Sequence, residues 1–203
     1  MNKHIVRMAL AGALTAMLLA GCAGTAPKTT YYSLHVPAQR GAEAPALADS
    51  TLALSIGPVV IPDILKQAQI ATGGADGRYR LAEYHRWSGD LDRDLARAVA
   101  EQLAGNLGTE KVALFPWDQN LPSSCRVLID VLNMGGEPGQ EASLAVRWTL
   151  LDPQGKKLQV IRRSELREVP AAAGYAAWVA AQQRNVVKLG QEIATEVKTF
   201  TKP

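Results

Sequence analysis

Residues 143–167, SLAVRWTLLDPQGKKLQVIRRSELR, decide the fold of this 203-residue chain. Two runs rich in aliphatic and aromatic residues, 143–151 and 158–167, flank Asp-Pro-Gln-Gly at 152–155, which is a strong turn signal. The stretch therefore predicts a pair of antiparallel strands. The charges near the end of the second strand predict a solvated edge that discourages association between sheets: Arg162, Arg163, Glu165, Arg167 and Glu168.

Two helices are predicted, one after this hairpin over residues 171–200 and one in mid-chain over residues 88–108. In the mid-chain helix Ser88 is the predicted N-cap and Gly108 the end. Its early acidic residues are explained by the helix dipole: Asp90, Asp92 and Asp94. Each helix carries an apolar stripe at helical spacing, and such a stripe must be buried against another element. Both helices are therefore predicted to pack on a sheet.

The remaining strand candidates lie before and between these elements. Residues 69–72 and 79–84 flank a glycine-rich turn and predict another hairpin. The run 51–61 is broken by Gly57-Pro58, which predicts a bulge or an edge. Further short strands are predicted over 31–36, 111–115 and 125–133. Hairpins dominate this order, so the fold class is α+β: a mixed or mostly antiparallel sheet with one mid-chain helix and one long C-terminal helix on one face.

The N-terminus has the three parts of a secretory signal. A short basic segment with Lys3 and Arg7 precedes the uncharged run 8–20, which is too short to span a membrane. Leu-Ala-Gly-Cys at 19–22 is similar to the lipobox of bacterial lipoproteins. That similarity implies cleavage between Gly21 and Cys22 and acylation of Cys22.

The chain is therefore divided into a lipoprotein signal peptide (1–21), a lipidated tether (22–30) and a single periplasmic α+β domain (31–203). Several acyl chains hold a protein on a membrane for long periods. Ala23, where Asp would be the usual retention signal for the inner membrane, favours the outer membrane. A Cys22–Cys125 disulfide is the alternative; if Cys22 is lipidated, Cys125 is expected to be a lone buried thiol.

Composition narrows the function classes. The chain has 22 Lys and Arg against 19 Asp and Glu, a near-neutral balance that does not fit a nucleic-acid binder. Two cysteines and three histidines exclude a disulfide scaffold and leave little material for a metal site. Glu83 and His85 share a strand face and could be metal ligands or an acid–base pair, but a surface pair is the better interpretation. No catalytic residue, metal site or cofactor is expected.

Two groups of residues are candidates for partner contacts. Pro62-Asp63 follows a strand, and Arg86-Trp87 comes just before the mid-chain helix, where stacking can fix a corner. Tyr175 and Trp178 lie near the start of the final helix, and aromatic anchors are frequent at interfaces. A structural role stays open for both groups, as a packed corner for the first and as core for the second.

A family resemblance rests on the order and spacing of segments along nearly all of the mature chain. They are the lipobox at Cys22, YYSL (31–34), IGPV (56–59), IPDIL (61–65), QI (69–70), Glu83 with Arg86-Trp87, and YAAWVAAQ (175–182). With these the chain resembles the PqiC/YmbA-type lipoproteins, the ABC-type transport auxiliary lipoprotein component family. One departure is that the family usually has Arg-Pro where this chain has Gln67-Ala68, and Arg where it has Gly73.

The resemblance implies a non-enzymatic outer-membrane lipoprotein on the periplasmic side. Its implied partners are an MCE-domain protein of a lipid-transport system and an inner-membrane transport component, and the resemblance also implies a ring-like homo-oligomer. Two alternatives from other classes stay open. One is a lipoprotein scaffold or activator of cell-wall synthesis, and the other is a periplasmic hydrolase that uses His85 and Glu83.

Overall fold

The computed structural model describes residues 27–37, 51–116 and 122–201. The predicted signal peptide, Cys22 and most of the predicted tether lie outside these residues. In chain order the elements are β1 (Thr30–Tyr32), β2 (Leu54–Val60), a 3₁₀ helix (Asp63–Lys66), β3 (Gln69–Gly73), β4 (Tyr79–Trp87), α1 (Leu91–Leu107), β5 (Val112–Leu114), β6 (Cys125–Gly135), β7 (Ala142–Leu151), β8 (Leu158–Glu168) and α2 (Tyr175–Phe200).

The strands form two sheets. The smaller sheet has the order β1-β4-β3, and the larger has the order β5-β2-β6-β7-β8. In the larger sheet β2 runs parallel to both β5 and β6, whereas β7 is antiparallel to both β6 and β8. A bridge between Gly73 and Gly136 joins the two sheets. The predicted α+β class with mixed sheets and two helices is confirmed.

The hairpin predicted over residues 143–167 is present. β7 and β8 pair antiparallel, with Ser143 opposite Arg167 and Thr149 opposite Ile161. The turn closes where the Gly155 N–H donates to the Asp152 carbonyl at 2.9 Å. As predicted, β8 is an edge strand of its sheet.

The core lies between the larger sheet and the two helices. Alternate residues of β6 are buried on the helix side: Val127, Ile129 and Val131. α1 packs against β2 and β5, α2 packs against β7 and β8, and the helices contact each other. They approach closely at Gly190, where an added Cβ would lie 2.5 Å from the Cβ of Gln102. The predicted packing of both helices on one sheet face is therefore present.

The beginning of α1 differs from its prediction. α1 begins at Leu91 with Asp90 as the N-cap, two residues later than the predicted Ser88, whose N–H donates to the Tyr32 carbonyl of β1 at 2.7 Å. Asp94 also does more than complement the dipole. Its buried carboxylate accepts hydrogen bonds from Ser33 Oγ at 2.9 Å and from the Leu34 N–H at 2.6 Å. These bonds end β1 early by drawing the following residues towards α1, so the strand predicted over 31–36 is shorter than expected.

The predicted bulge in β2 is also present. The register with β6 shifts between Ile56 and Val59, and Gly57 adopts a φ of +105°. β5 pairs with β2 only as far as Ile56. Beyond the bulge, β2 therefore keeps β6 as its one neighbour in the described sheet, and a recess opens beside Phe115.

Candidate interaction surface

Most of the predicted contact residues meet where β4 reaches the start of α2. The His85 ring stacks on Tyr175 with centroids 4.3 Å apart, and its Nδ1 is hydrogen-bonded to Tyr32 Oη at 2.9 Å. The rings of Trp87 and Trp178 lie 6.5 Å apart and are tilted by 46°. We call these five residues the aromatic junction. It fastens the N-terminal strand and the smaller sheet to the last helix.

Burial separates the members of the aromatic junction. Trp87 is 4% exposed and Trp178 is fully buried, so both belong to the core. Tyr175 is half-buried and covers His85. Arg86 is half-buried on the neighbouring position of β4, opposite Tyr31 of β1. This arrangement is the packed corner that the sequence offered as the structural role of Arg86-Trp87.

Pro62 and Asp63 lie outside the aromatic junction, at the start of the 3₁₀ helix. The Pro62 carbonyl accepts from the Leu65 N–H at 2.9 Å. Asp63 is exposed, and Lys66 Nζ donates to its carboxylate at 2.6 Å, which lowers the pKa of Asp63. The pair therefore makes a short local turn whose charge is already compensated.

Glu83 and His85 are engaged by different partners. The Tyr84 hydroxyl donates to Glu83 Oε1 at 2.8 Å, and this bond raises the pKa of Tyr84. His85 is held by Tyr32 and Tyr175 instead. Within residues 27–37, 51–116 and 122–201, no three His, Cys, Asp or Glu side chains are grouped closely enough to hold a metal ion.

Cys125 begins β6 and is fully buried as a free thiol. Burial raises the pKa of Cys125 to about 12. A thiol with that pKa is almost entirely protonated at neutral pH and is a poor nucleophile.

A recess beside α1 was missed by sequence reasoning. Two adjoining depressions of about 490 Å³ and 320 Å³ run between α1 and β5 and share Arg97 and Leu114. We call them together the α1–β5 groove. Its α1 wall carries small side chains one turn apart: Ala96, Ala100 and Ala104. The alanine spacing beside the leucine stripe was the available signal, but only the fold shows that β5 faces it.

The β5 side of the groove is apolar. Val112 and Leu114 line it, and Phe115 stands at one end with 55% of its side chain exposed. Gly57 allows this placement, because a Cβ there would lie 2.9 Å from the Cβ of Phe115. The β5 wall of the groove is therefore a shaped apolar surface.

The charged residues that line the groove differ in whether they have a partner. Arg93 is 3.7 Å from Asp90, whereas Arg97 has no ion pair or hydrogen bond within the described part of the chain. Asp92 also lines the Phe115 end. Glu101 and Glu110 line the other end, and both have interactions of their own. Arg97 is thus the charge that faces the middle of the groove without a partner in the described residues.

Neither α1 nor α2 has the length and apolar character of a membrane span, and the described residues contain no other such helix.

Comparison with known proteins places the chain beside lipoproteins of transport systems. The family model described as "ABC-type transport auxiliary lipoprotein component" matches residues 32–194. The chain is similar to the crystal structure of an uncharacterized protein at 19% identity, with 84% of this chain and 99% of that chain covered and a TM-score of 0.67. It is similar to protein XCC0632 from Xanthomonas campestris, of family DUF330, at 16% identity, with coverage of 82% and 93% and a TM-score of 0.67. No curated protein matches it.

Proposed function

The chain belongs to the ABC-type transport auxiliary lipoprotein component family, and on this premise we propose that it is a non-catalytic adaptor of an MCE-type intermembrane lipid-transport system. In this role it is anchored in the outer membrane through Cys22 and faces the periplasm. It docks an MCE-domain protein that works with an inner-membrane transport component. The family match over residues 32–194 carries the proposal, because it covers nearly the whole domain.

The anchor and the domain suit such a role. Seven residues lie between Cys22 and Thr30, and an extended chain reaches about 3.3–3.6 Å per residue, so the start of β1 stays within about 30 Å of the acylated cysteine. Beyond the tether, β1 is bonded to the rest of the domain through the aromatic junction and Asp94. A partner bound to the domain is therefore held near the membrane by a short connection.

The rigidity of the domain supports docking over chemistry. The helix α2 has 26 residues, which at 1.5 Å per residue makes a brace about 39 Å long across the larger sheet. Among the described residues, the most polar candidates for catalysis, Glu83 and His85, are tied to neighbouring tyrosines. The α1–β5 groove, by contrast, presents apolar side chains beside an unpaired arginine, a combination that suits a protein segment.

Affinity purification of the full-length lipoprotein from cross-linked envelopes tests the proposal. We expect mass spectrometry to recover an MCE-domain protein together with an inner-membrane transport component. Deletion of the gene is expected to weaken the envelope barrier. The matched control is Cys22→Ser, which keeps the domain and removes the acylated thiol, and which is expected to lose the membrane-bound complex.

Recovery of cell-wall synthases without an MCE protein would overturn the adaptor role in favour of a cell-wall scaffold. The homo-oligomeric state is part of the proposal and is tested on the same purified lipoprotein in detergent. A strictly monomeric protein that binds no MCE partner would contradict it.

A further inference from the structure

We propose that the α1–β5 groove binds an extended segment of the transport partner as one more strand on β5, with an acidic side chain of that segment held by Arg97. The inference rests on the proposed function and names its docking face. The expected ligand is a strand with small or medium apolar side chains towards α1 and a carboxylate near the middle of the groove.

The outer edge of β5 is open to an added strand. Among the described residues β5 has β2 as its one neighbouring strand, and no described strand pairs with its other edge. The Lys111 carbonyl accepts from Leu54 and the Phe115 N–H donates to Ile56, so the odd-numbered residues of this segment face β2. In a parallel pair the alternate residues then direct their backbone groups outward. The Val112 N–H already donates to the Glu110 carbonyl at 2.9 Å, so the groups offered to an added strand are the Val112 carbonyl and the N–H and carbonyl of Leu114.

The shape of the groove also suits an added strand. Val112 and Leu114 lie opposite the buried residues Leu54 and Ile56 of β2, so their side chains point towards α1. The alanines of α1 leave space above them, in the two depressions of about 490 Å³ and 320 Å³. A strand added beside a helix gains affinity from main-chain hydrogen bonds and specificity from side chains that fill such depressions. Phe115 gives this strand an aromatic contact at one end.

Charge along the groove selects the side chain expected at its middle. Arg97 lines both depressions and has no partner among the described residues. Asp92 has none there either, but it lines only the Phe115 end, and Glu101 and Glu110 at the His35 end have their own interactions. A carboxylate placed opposite Arg97 would be paired, and a lysine or arginine there would be repelled. The chemistry therefore favours an acidic segment over a basic one or a purely apolar one.

Photo-cross-linking in envelopes that hold the full-length lipoprotein tests the inference. Benzoylphenylalanine replaces Phe115 in the groove, and the matched control places it at Tyr31, an aromatic residue 62% exposed on the smaller sheet. We expect the position-115 probe to cross-link to one acidic, extended segment of the MCE partner, identified by mass spectrometry, and the position-31 probe not to reach that segment.

Charge reversal then tests the role of Arg97. Arg97→Glu is expected to lower the yield of the position-115 cross-link at least about tenfold, since it opposes like charges. The control Arg78→Glu, at the exposed turn before β4, is expected to leave the yield unchanged. Changing the acidic residue of the cross-linked segment to lysine is expected to restore binding to Arg97→Glu.

The outcomes separate this inference from the proposed function. If the MCE partner co-purifies but position 115 cross-links to a second copy, to residues 38–50 of the same chain or to nothing, the groove inference is wrong and the adaptor role stands. An unchanged cross-link in Arg97→Glu overturns the charge assignment. If no MCE partner co-purifies with the wild-type lipoprotein, both proposals fail.

Discussion

Replacing Gln182 of α2 with methionine is expected to destabilise the domain by about 2–4 kcal/mol. Gln182 is fully buried, and its Nε2 donates to the carbonyls of Gly135 and Ser143 at 3.1 and 3.0 Å. Its Oε1 accepts from Asn185 Nδ2 at 3.1 Å. Methionine has a similar length and volume, so the change removes these bonds and leaves little cavity.

The magnitude follows from the groups that lose their partner. Removing the partner of a buried polar group costs about 1–3 kcal/mol, and two carbonyls lose the hydrogen bond that Gln182 donates. Asn185 keeps its bond to the Ala142 carbonyl at 3.0 Å, so its loss is smaller. The apolar methionine recovers about 1 kcal/mol by burial.

Urea denaturation of the purified lipoprotein, followed by circular dichroism, measures the effect. With a slope of about 2 kcal/mol per molar urea, the midpoint is expected to fall by about 1–2 M. The matched control is Gln191→Met, on the exposed face of the same helix, which is expected to change stability by less than about 0.5 kcal/mol. If Gln182→Met and Gln191→Met have the same midpoint as the wild type, the hydrogen bonds of Gln182 do not stabilise the packing of α2 on the sheet.

Three further outcomes are expected. Asp94→Ala removes the acceptor that holds the segment after β1, so amide hydrogen exchange over residues 30–36 is expected to quicken; unchanged exchange there would show that the segment is held by other contacts. The pKa of Glu168 lies below its usual value of 4.5, mainly through hydrogen bonds from Lys188 and Arg184, so its contribution to stability is present above that value and lost as the pH falls through the lower folded pKa. The stability difference between wild type and Glu168→Gln is therefore expected to shrink as the pH falls below 4.5, and a difference independent of pH would contradict this. Cys125 is expected to resist iodoacetamide at pH 8 in the folded protein and to react in urea, and rapid alkylation of the folded protein would mean that the start of β6 opens readily.

Much of the local structure could be predicted because its signals are local. The turn at 152–155, the leucine stripe of α1 and the alternation in β6 each arise from neighbours in sequence, and each element is present. Gly108 ends α1 in the left-handed conformation, as its position predicted. The charged strand β8 lies at the sheet edge, as its charges predicted.

The elements that could not be predicted depend on distant residues. The pairing of β2 with β5 and β6 joins segments separated by α1, and no residue pattern in β2 names those partners. Asp94 was interpreted as a dipole residue because its partners, Ser33 and Leu34, lie 60 positions away. The α1–β5 groove arises in the same way, since its two walls become neighbours only in the folded domain.

The importance of the aromatic residues could be predicted from the sequence, but their burial could not. Trp87 was singled out with Arg86 just before α1, and Tyr175 and Trp178 near the start of α2; all three aromatic residues lie in the aromatic junction. Sequence could not distinguish a core residue from a surface residue at these positions. Trp87 and Trp178 are buried in the core. A partner-contact role stays a prediction for Pro62, Asp63, Arg86 and Tyr175.

The attachment of the first strand to the last helix also constrains when the domain can fold. Gln183 Nε2 donates to the Ser33 carbonyl across 150 positions, and Tyr175 closes over His85 beside β1. Contacts between segments so far apart require a large loop to close first, which slows folding. In a chain that crosses a membrane N-terminus first, the tether and β1 would therefore emerge long before their partners in α2. The contacts between β1 and the rest of the domain would be completed only after α2 emerged.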